Sequence, residues 1–206
     1  MPDGHDTTRL VLVRHGETDW NRDSRIQGWA PSSLTDRGRE QARTLGAHLR
    51  ESYEFDRLVA SDLRRTRETT ALLRDEGVQP EPIFDRAWRE RCFGVYQGLT
   101  KAEIFEGHPE FAPTTGVSAV RATPENGESL LDVRERVLAG WEQLRTDADG
   151  ETVLVVTHGG PISLVLGRVR GQNILTAITD HSQHNCALNE LHVGETVEVL
   201  RYNETV

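Results

Sequence analysis

The sequence predicts an α/β protein built on a largely parallel sheet. Short β-branched runs fall at residues 10–13, 57–60 and 152–157, and each is followed by a stretch with helical spacing. Strand and helix signals that alternate in this way fit crossover units better than hairpins. At 206 residues the chain reads as one domain over 1–206, large enough to bury roughly 70% of the surface its unfolded form exposes.

The elements follow in order. The run LVLV at 10–13 is the first strand. Thr35 is a good N-cap, and Ala42, Leu45 and Leu49 recur behind it at three and four residues, which predicts an amphipathic helix. The second strand at 57–60 precedes the arginine-rich DLRRTRET. Between 101 and 127 the periodicity dissolves, and a stretch this long without a pattern reads as an insertion capping a pocket. Ser129 with Asp132 three positions on forms a capping box, and Leu130, Val133, Val137, Trp141 and Leu144 give the next helix its apolar face. After the third strand, two runs on either side of Gly194 and Glu195 predict a terminal hairpin.

Composition narrows the function classes. Twenty-four Lys and Arg against 33 Asp and Glu leave a net charge of -9, which argues against nucleic acid or an anionic membrane surface as a partner. An anionic ligand must be held by a local basic pocket. No apolar run approaches the ~20 residues a spanning helix needs. Cys92 and Cys186 form no CxxC pair, and MPDGHDTTR has no apolar leader core, so the expected setting is reducing and cytoplasmic.

In open parallel sheets ligands bind beyond the carboxyl ends of the strands. Here the first strand ends in Arg14, His15 and Gly16, the second in Ser61, and the third in His158, Gly159, Gly160 and Pro161. Two histidines and a choice of arginines would meet at one edge. Glycines followed by a proline at a helix start leave outward N–H groups, a natural phosphate seat. Arginine offers forked donors to phosphate oxygens, and neutral imidazole can attack phosphorus. Arg14 would orient a phosphoryl group while His15 attacks it. An acid is needed for the leaving alkoxide, and WRERCFGVYQGL offers Glu90.

The blander alternatives separate as follows. Arg64 and Arg67 read as a solvated helix face. Glu17 reads as a dipole partner early in a helical turn rather than a catalyst. Asp180, His181 and His184 lack a companion motif and read as a loop, so no metal site is expected. Trp29, Phe93 and Tyr96 either wall a substrate pocket or serve packing.

These residues together resemble the histidine phosphatase superfamily in its phosphoglycerate-mutase-like branch. LVRHGETDWN, RIQGWAPSSLTDRGREQA, SDLRRTRET, RERCFGVYQGLTKAE, PENGES and VTHGG match its motifs in order over nearly the whole chain. The resemblance implies a three-layer α/β/α sandwich with a mixed, mostly parallel sheet carrying one antiparallel edge strand. It implies His15 as the residue phosphorylated in turnover, Arg14, Arg65 and His158 as phosphate ligands, and Glu90 as proton donor and then water activator. Asn21 and Gln27 match polar positions lining the pocket, and the Gly159 amide matches a backbone contact. Arg65 is preferred to Arg64 because the pattern Ser-x-Leu-x-Arg places the ligand there. Thr66 stands where the family frequently has alanine.

The resembled branch needs no metal or organic cofactor as a phosphatase. Lys101 falls where mutases hold the substrate's carboxylate end. Against a mutase, Gly160 replaces an asparagine, and residues 102–127 contain only Arg121 among Lys and Arg. The expected activity is therefore hydrolysis of a small phosphorylated metabolite, with 2,3-bisphosphoglycerate-dependent phosphoglycerate mutase as the alternative. A non-catalytic phosphate-binding protein would be expected to lose His15 or Glu90, and both remain. A homodimer is compatible with everything in the sequence.

Overall fold

The structure, a computed structural model, describes residues 7–206. His5 and most of the segment behind the leader-free reading lie outside the described residues. The elements run β1 Thr8–Arg14, α1 Asp19–Arg22, α2 Asp36–Ser52, β2 Arg57–Ala60, α3 Arg64–Asp75, β3 Pro82–Phe84, α4 Lys101–Gly107, α5 Val117–Arg121, α6 Leu130–Asp147, β4 Thr152–Thr157, α7 Gly159–Val169, α8 Ile174–Asp180, β5 Leu188–Val193 and β6 Val197–Glu204.

One six-stranded sheet, in the order β3-β2-β4-β1-β5-β6, is sandwiched between helices. β1 pairs parallel with β4, β4 with β2, and β2 with β3. Alternation along β1 explains the layers. Val11 and Val13 enter a core with Ala42, Leu45 and Leu49 of α2 and Leu72 and Leu73 of α3. Leu10 and Leu12 enter the opposite core with Val133, Val137 and Trp141 of α6 and Ile162 and Val165 of α7. A strand buried on both faces has no room for a polar position, which is why LVLV is continuous.

The helix starts anticipated from the sequence are present. Thr35 Oγ1 accepts from Gly38 N at 2.9 Å, and the Ser129–Asp132 capping box closes in both directions. The terminal hairpin is β5 and β6, antiparallel to each other. Its placement corrects one expectation: the strand antiparallel to β1 is β5, which is interior, and β6 forms the edge. β5 runs against β1 and the hairpin turn reverses the chain once more, so the outermost strand regains the direction of β1.

β3 carries no sequence signal. It is three residues long, and Ile83 and Phe84 are exposed. The segment 101–127, without visible periodicity, nevertheless contains α4 and α5 separated by two 3-10 turns. α4 is capped by a Thr100–Glu103 box, and Ile104 and Ala119 are buried beneath the segment.

Candidate active site

The carboxyl ends of β1, β2 and β4 bring His15, Ser61 and His158 together. The two imidazole rings lie 5.2 Å apart, centroid to centroid, at 63°. Backbone packing fixes the turn that carries His15. A Cβ on Gly16 would meet the Gly38 carbonyl oxygen at 2.5 Å, and one on Gly38 would meet the Glu17 oxygen at 2.0 Å. The β1 turn and the first turn of α2 thus touch main chain to main chain, and only glycine permits it.

His15 is 3% exposed. Its Nδ1 lies 2.8 Å from the Gly16 carbonyl oxygen, to which it donates, leaving Nε2 with a lone pair. Arg65 Nε donates to that Nε2 at 3.1 Å. Burial above all, then the cations of Arg65 and Arg14, holds the His15 pKa well below 6.5. The ring is therefore neutral at physiological pH, the state a nucleophile needs.

Arg65 is 1% exposed and is oriented by carbonyls: Nη2 donates to Gly28 at 2.8 Å and Nη1 to Ala30 at 3.5 Å. Burial lowers its pKa to about 10, so it stays charged at neutral pH. Arg64 and Arg67 are exposed, so the choice between adjacent arginines falls on Arg65. Thr66 fits without cost, since its buried hydroxyl reaches the Ser61 and Leu63 carbonyls at 2.8 and 2.7 Å.

Arg14 donates through Nη1 to the Gln183 carbonyl, while its Nε is buried and unpaired. His158 is fully buried, and its Nε2 lies 2.8 Å from Ser61 Oγ while its Nδ1 has no partner among the described residues. Burial first, then Arg65, His15 and Arg14, depresses the His158 pKa well below 6.5. Two unpaired, buried nitrogens beside a neutral imidazole are suited to receive oxygens of an anion.

Glu90 reaches the same place from the segment before α4. Its carboxylate accepts from Arg91 N at 2.8 Å and from Gly160 N at 3.1 Å, at the start of α7. Its neighbours do not crowd it. Arg89 turns away to pair with Asp62 and lies over the Trp29 ring, and Arg91 donates to the Glu128 and Ala122 carbonyls. The Arg136 guanidinium donates to the carbonyls of Arg86, Ala87, Arg89 and Glu90, which holds the whole acid-bearing segment on α6.

Arg14, His15, Arg65, Glu90 and Gly159 line a cavity of about 580 Å³, with Asn21 and Gln27 beside them, while fully buried His158 lies behind His15 and is not part of the lining. Phe93, Tyr96 and Lys101 also line it, together with Ile104, Phe105 and Phe111 of the 101–127 segment. Trp29 does not. Its Nε1 donates to the Glu90 carbonyl at 2.7 Å, so its ring serves the position of the acid rather than the cavity wall. Glu17 also departs from expectation: its carboxylate accepts from Thr35 Oγ1 at 2.9 Å and pairs with Arg37, supporting the start of α2 instead of its own turn.

Among the described residues no group of three His, Cys, Asp or Glu is disposed to hold a metal. His181 is buried against Gln172 and Tyr202. Nor is any described helix long and apolar enough to cross a membrane.

Sequence reasoning passed over Ser61 as a partner of His158, although it opens the arginine motif. It also missed Asn185, whose Nδ2 donates to the His15 carbonyl at 3.0 Å and to Asn21 Oδ1 at 3.1 Å. Asn185 sits in an aperiodic loop where no sequence signal marks it.

Known proteins resemble the chain in sequence and in fold. Residues 10–205 match the model of the histidine phosphatase superfamily (branch 1). The chain is 34% identical to a metal-independent phosphoserine phosphatase of Arabidopsis thaliana over 80% of this chain and 69% of that one. It is 35% identical to a 2,3-bisphosphoglycerate-dependent phosphoglycerate mutase 2 of Gloeobacter violaceus, covering 76% and 73%. Its fold superposes on Bacillus stearothermophilus YhfR with a TM-score of 0.86 at 30% identity, covering 97% and 98% of the two chains.

Proposed function

The chain belongs to the histidine phosphatase superfamily, branch 1, and from that premise we propose that it is a phosphomonoester hydrolase working through a phosphohistidine on His15. The observation that carries this reading is the neutral, lone-pair-bearing Nε2 of His15 set between Arg65 and the His158 ring.

In the proposed reaction the phosphoryl group lies against Arg14, Arg65, His158 and the Gly159 amide. An incoming phosphoryl oxygen draws off the Arg65 N–H that now rests on the His15 lone pair. Nε2 then forms a bond to phosphorus as the phosphorus–oxygen bond to the leaving group breaks, and protonated Glu90 gives its proton to the departing alkoxide. Glu90, now a carboxylate, takes a proton from water whose oxygen attacks phosphorus. The phosphorus–nitrogen bond breaks, phosphate leaves, and His15 is neutral again. The arginine charges oppose the charge spread over the equatorial oxygens in both transition states. Asn21 and Gln27 supply further polar contacts at the cavity wall, and residues 101–127 act as the cap.

Hydrolysis is favoured over phosphoryl return to a second hydroxyl because the cap offers few cations for a bisphosphorylated partner: between 102 and 127 only Arg121 carries a positive charge. Lys101, which lines the cavity, is the feature a mutase would also use. Incubation without metal with a panel of phosphorylated metabolites separates the two. Release of inorganic phosphate, lost in His15→Ala and slowed in Glu90→Gln, is the expected result. Conversion of 3-phosphoglycerate to its 2-phospho isomer without release, with 2,3-bisphosphoglycerate added, would make it a mutase, and undiminished turnover in His15→Ala would remove the nucleophile from His15.

A further inference from the structure

We propose that the cavity takes an uncharged, largely apolar alcohol, aromatic or branched, as the leaving group of its phosphate ester. The inference rests on the hydrolase reading above and adds to it the class of substrate.

Two features of the lining carry it. The first is a wall of rings and aliphatic side chains. Tyr96 packs edge-on to Phe111 at 5.2 Å and against His108 at 4.7 Å, and Phe93, Phe105 and Ile104 continue this wall, with Leu175 and Ile178 of α8 also lining the cavity. These side chains gain free energy by covering apolar surface and lose it if a hydrated charged group is pressed against them.

The second is the employment of the cations. Besides Arg14 and Arg65, three basic residues line the cavity: Arg25, Arg91 and Lys101. Arg91 is buried, with Nε held by the Glu128 carbonyl at 2.8 Å and Nη2 by the Ala122 carbonyl at 3.0 Å. Its guanidinium lies 5.0 Å from the Phe93 ring centre and 5.9 Å from that of Phe111, so its charge is engaged by the aromatic wall. Arg25 donates through one Nη to the Gly98 carbonyl at 2.6 Å and keeps its other donors. Arg25 and Lys101, the lining cations with donors to spare on flexible side chains, are both exposed. Exposed cations in water are weak partners for a second anionic group. Volume agrees, since about 580 Å³ exceeds what a phosphoryl group on a three-carbon acid fills and lies within the range that encloses larger organic ligands.

The test compares esters that all leave as primary alkoxides, so that leaving-group reactivity does not imitate apolar recognition. 3-Phenylpropyl phosphate is expected to show kcat/KM at least about 10-fold above glycerol 3-phosphate and 3-phosphoglycerate, mainly through KM. Phe111→Ala is expected to narrow that ratio to about 3-fold or less. Equal or reversed kcat/KM for the three esters would overturn the inference while leaving hydrolysis intact. Calorimetric binding of 3-phenylpropylphosphonate against 2-hydroxyethylphosphonate provides an arm independent of turnover, because the phosphorus–carbon bond is not cleaved. Tighter binding of the phenyl compound without phosphate release from any ester would sink the hydrolase reading but support the ligand class. Equal binding of the two phosphonates would overturn the ligand class whatever the turnover.

Discussion

Arg65 has two jobs at one atom. Its Nε occupies the lone pair of His15 Nε2, and its buried charge helps keep that ring unprotonated. Replacing it by alanine is expected to cut kcat/KM by about 10²–10³-fold, the usual loss when one preorganised donor to transition-state charge is removed. The same variant should raise the His15 pKa, because a nearby positive charge disfavours imidazolium; NMR titration of the ring would show it. Lysine should recover little, since a point charge cannot hold Gly28 and Ala30 while also facing His15. An unchanged kcat/KM would remove Arg65 from the reaction. At this scale the sequence was informative where chemistry is tied to strand ends: His15 and His158, far apart in the chain, were placed together by that rule alone. It did not mark Asn185, and it offered Trp29 as pocket wall or packing rather than as the donor to the Glu90 carbonyl, because a side chain that bonds a carbonyl through tertiary contact leaves no periodic trace.

The start of α7 is where an element, rather than a side chain, sets the chemistry. The Glu90 carboxylate sits on the Gly160 amide, and a Cβ at position 160 would come within 2.3 Å of Glu90 Oε1. Gly160→Ala favours the helix by propensity but evicts the carboxylate. It is expected to lower kcat about as far as Glu90→Gln does, while inhibition by vanadate stays close to wild type because Arg14, Arg65 and His158 are untouched. Unaltered kcat would show that the carboxylate works from another position. The same glycine is the departure from the mutase pattern noted in the sequence, and the structure supplies its physical consequence. Elements with caps and long apolar faces, such as α2 and α6, were legible because their burial repeats along the chain. β3 and the helices of 101–127 were not. β3 is too short to show a period, and the inward contacts of α4 and α5 come chiefly from single residues such as Ile104 and Ala119.

Across the whole molecule, folding a site of neutral histidines makes stability depend on pH. His15 and His158 are buried with pKa values well below 6.5, and burial lowers that of His181 too. In the unfolded chain these rings titrate near 6.5. Below that pH the unfolded state binds protons the folded state refuses, so stability is complete above about 6.5 and falls as pH drops. Each fully excluded proton costs up to about 1.4 kcal/mol per pH unit. The carboxylates act in another window: Asp62, bonded to Arg89, and Asp132, bonded to Ser129, have lowered pKa values and lose their contribution only below about 3.8. Measurement between pH 7 and 5 therefore isolates the histidines. The urea midpoint is expected to fall across that range, and the fall should be shallower in a His15→Gln, His158→Gln double variant, which retains polar side chains but cannot titrate there. A midpoint that is flat in the wild type, or equally steep in both proteins, would mean that the two catalytic-edge rings are not kept neutral by the fold.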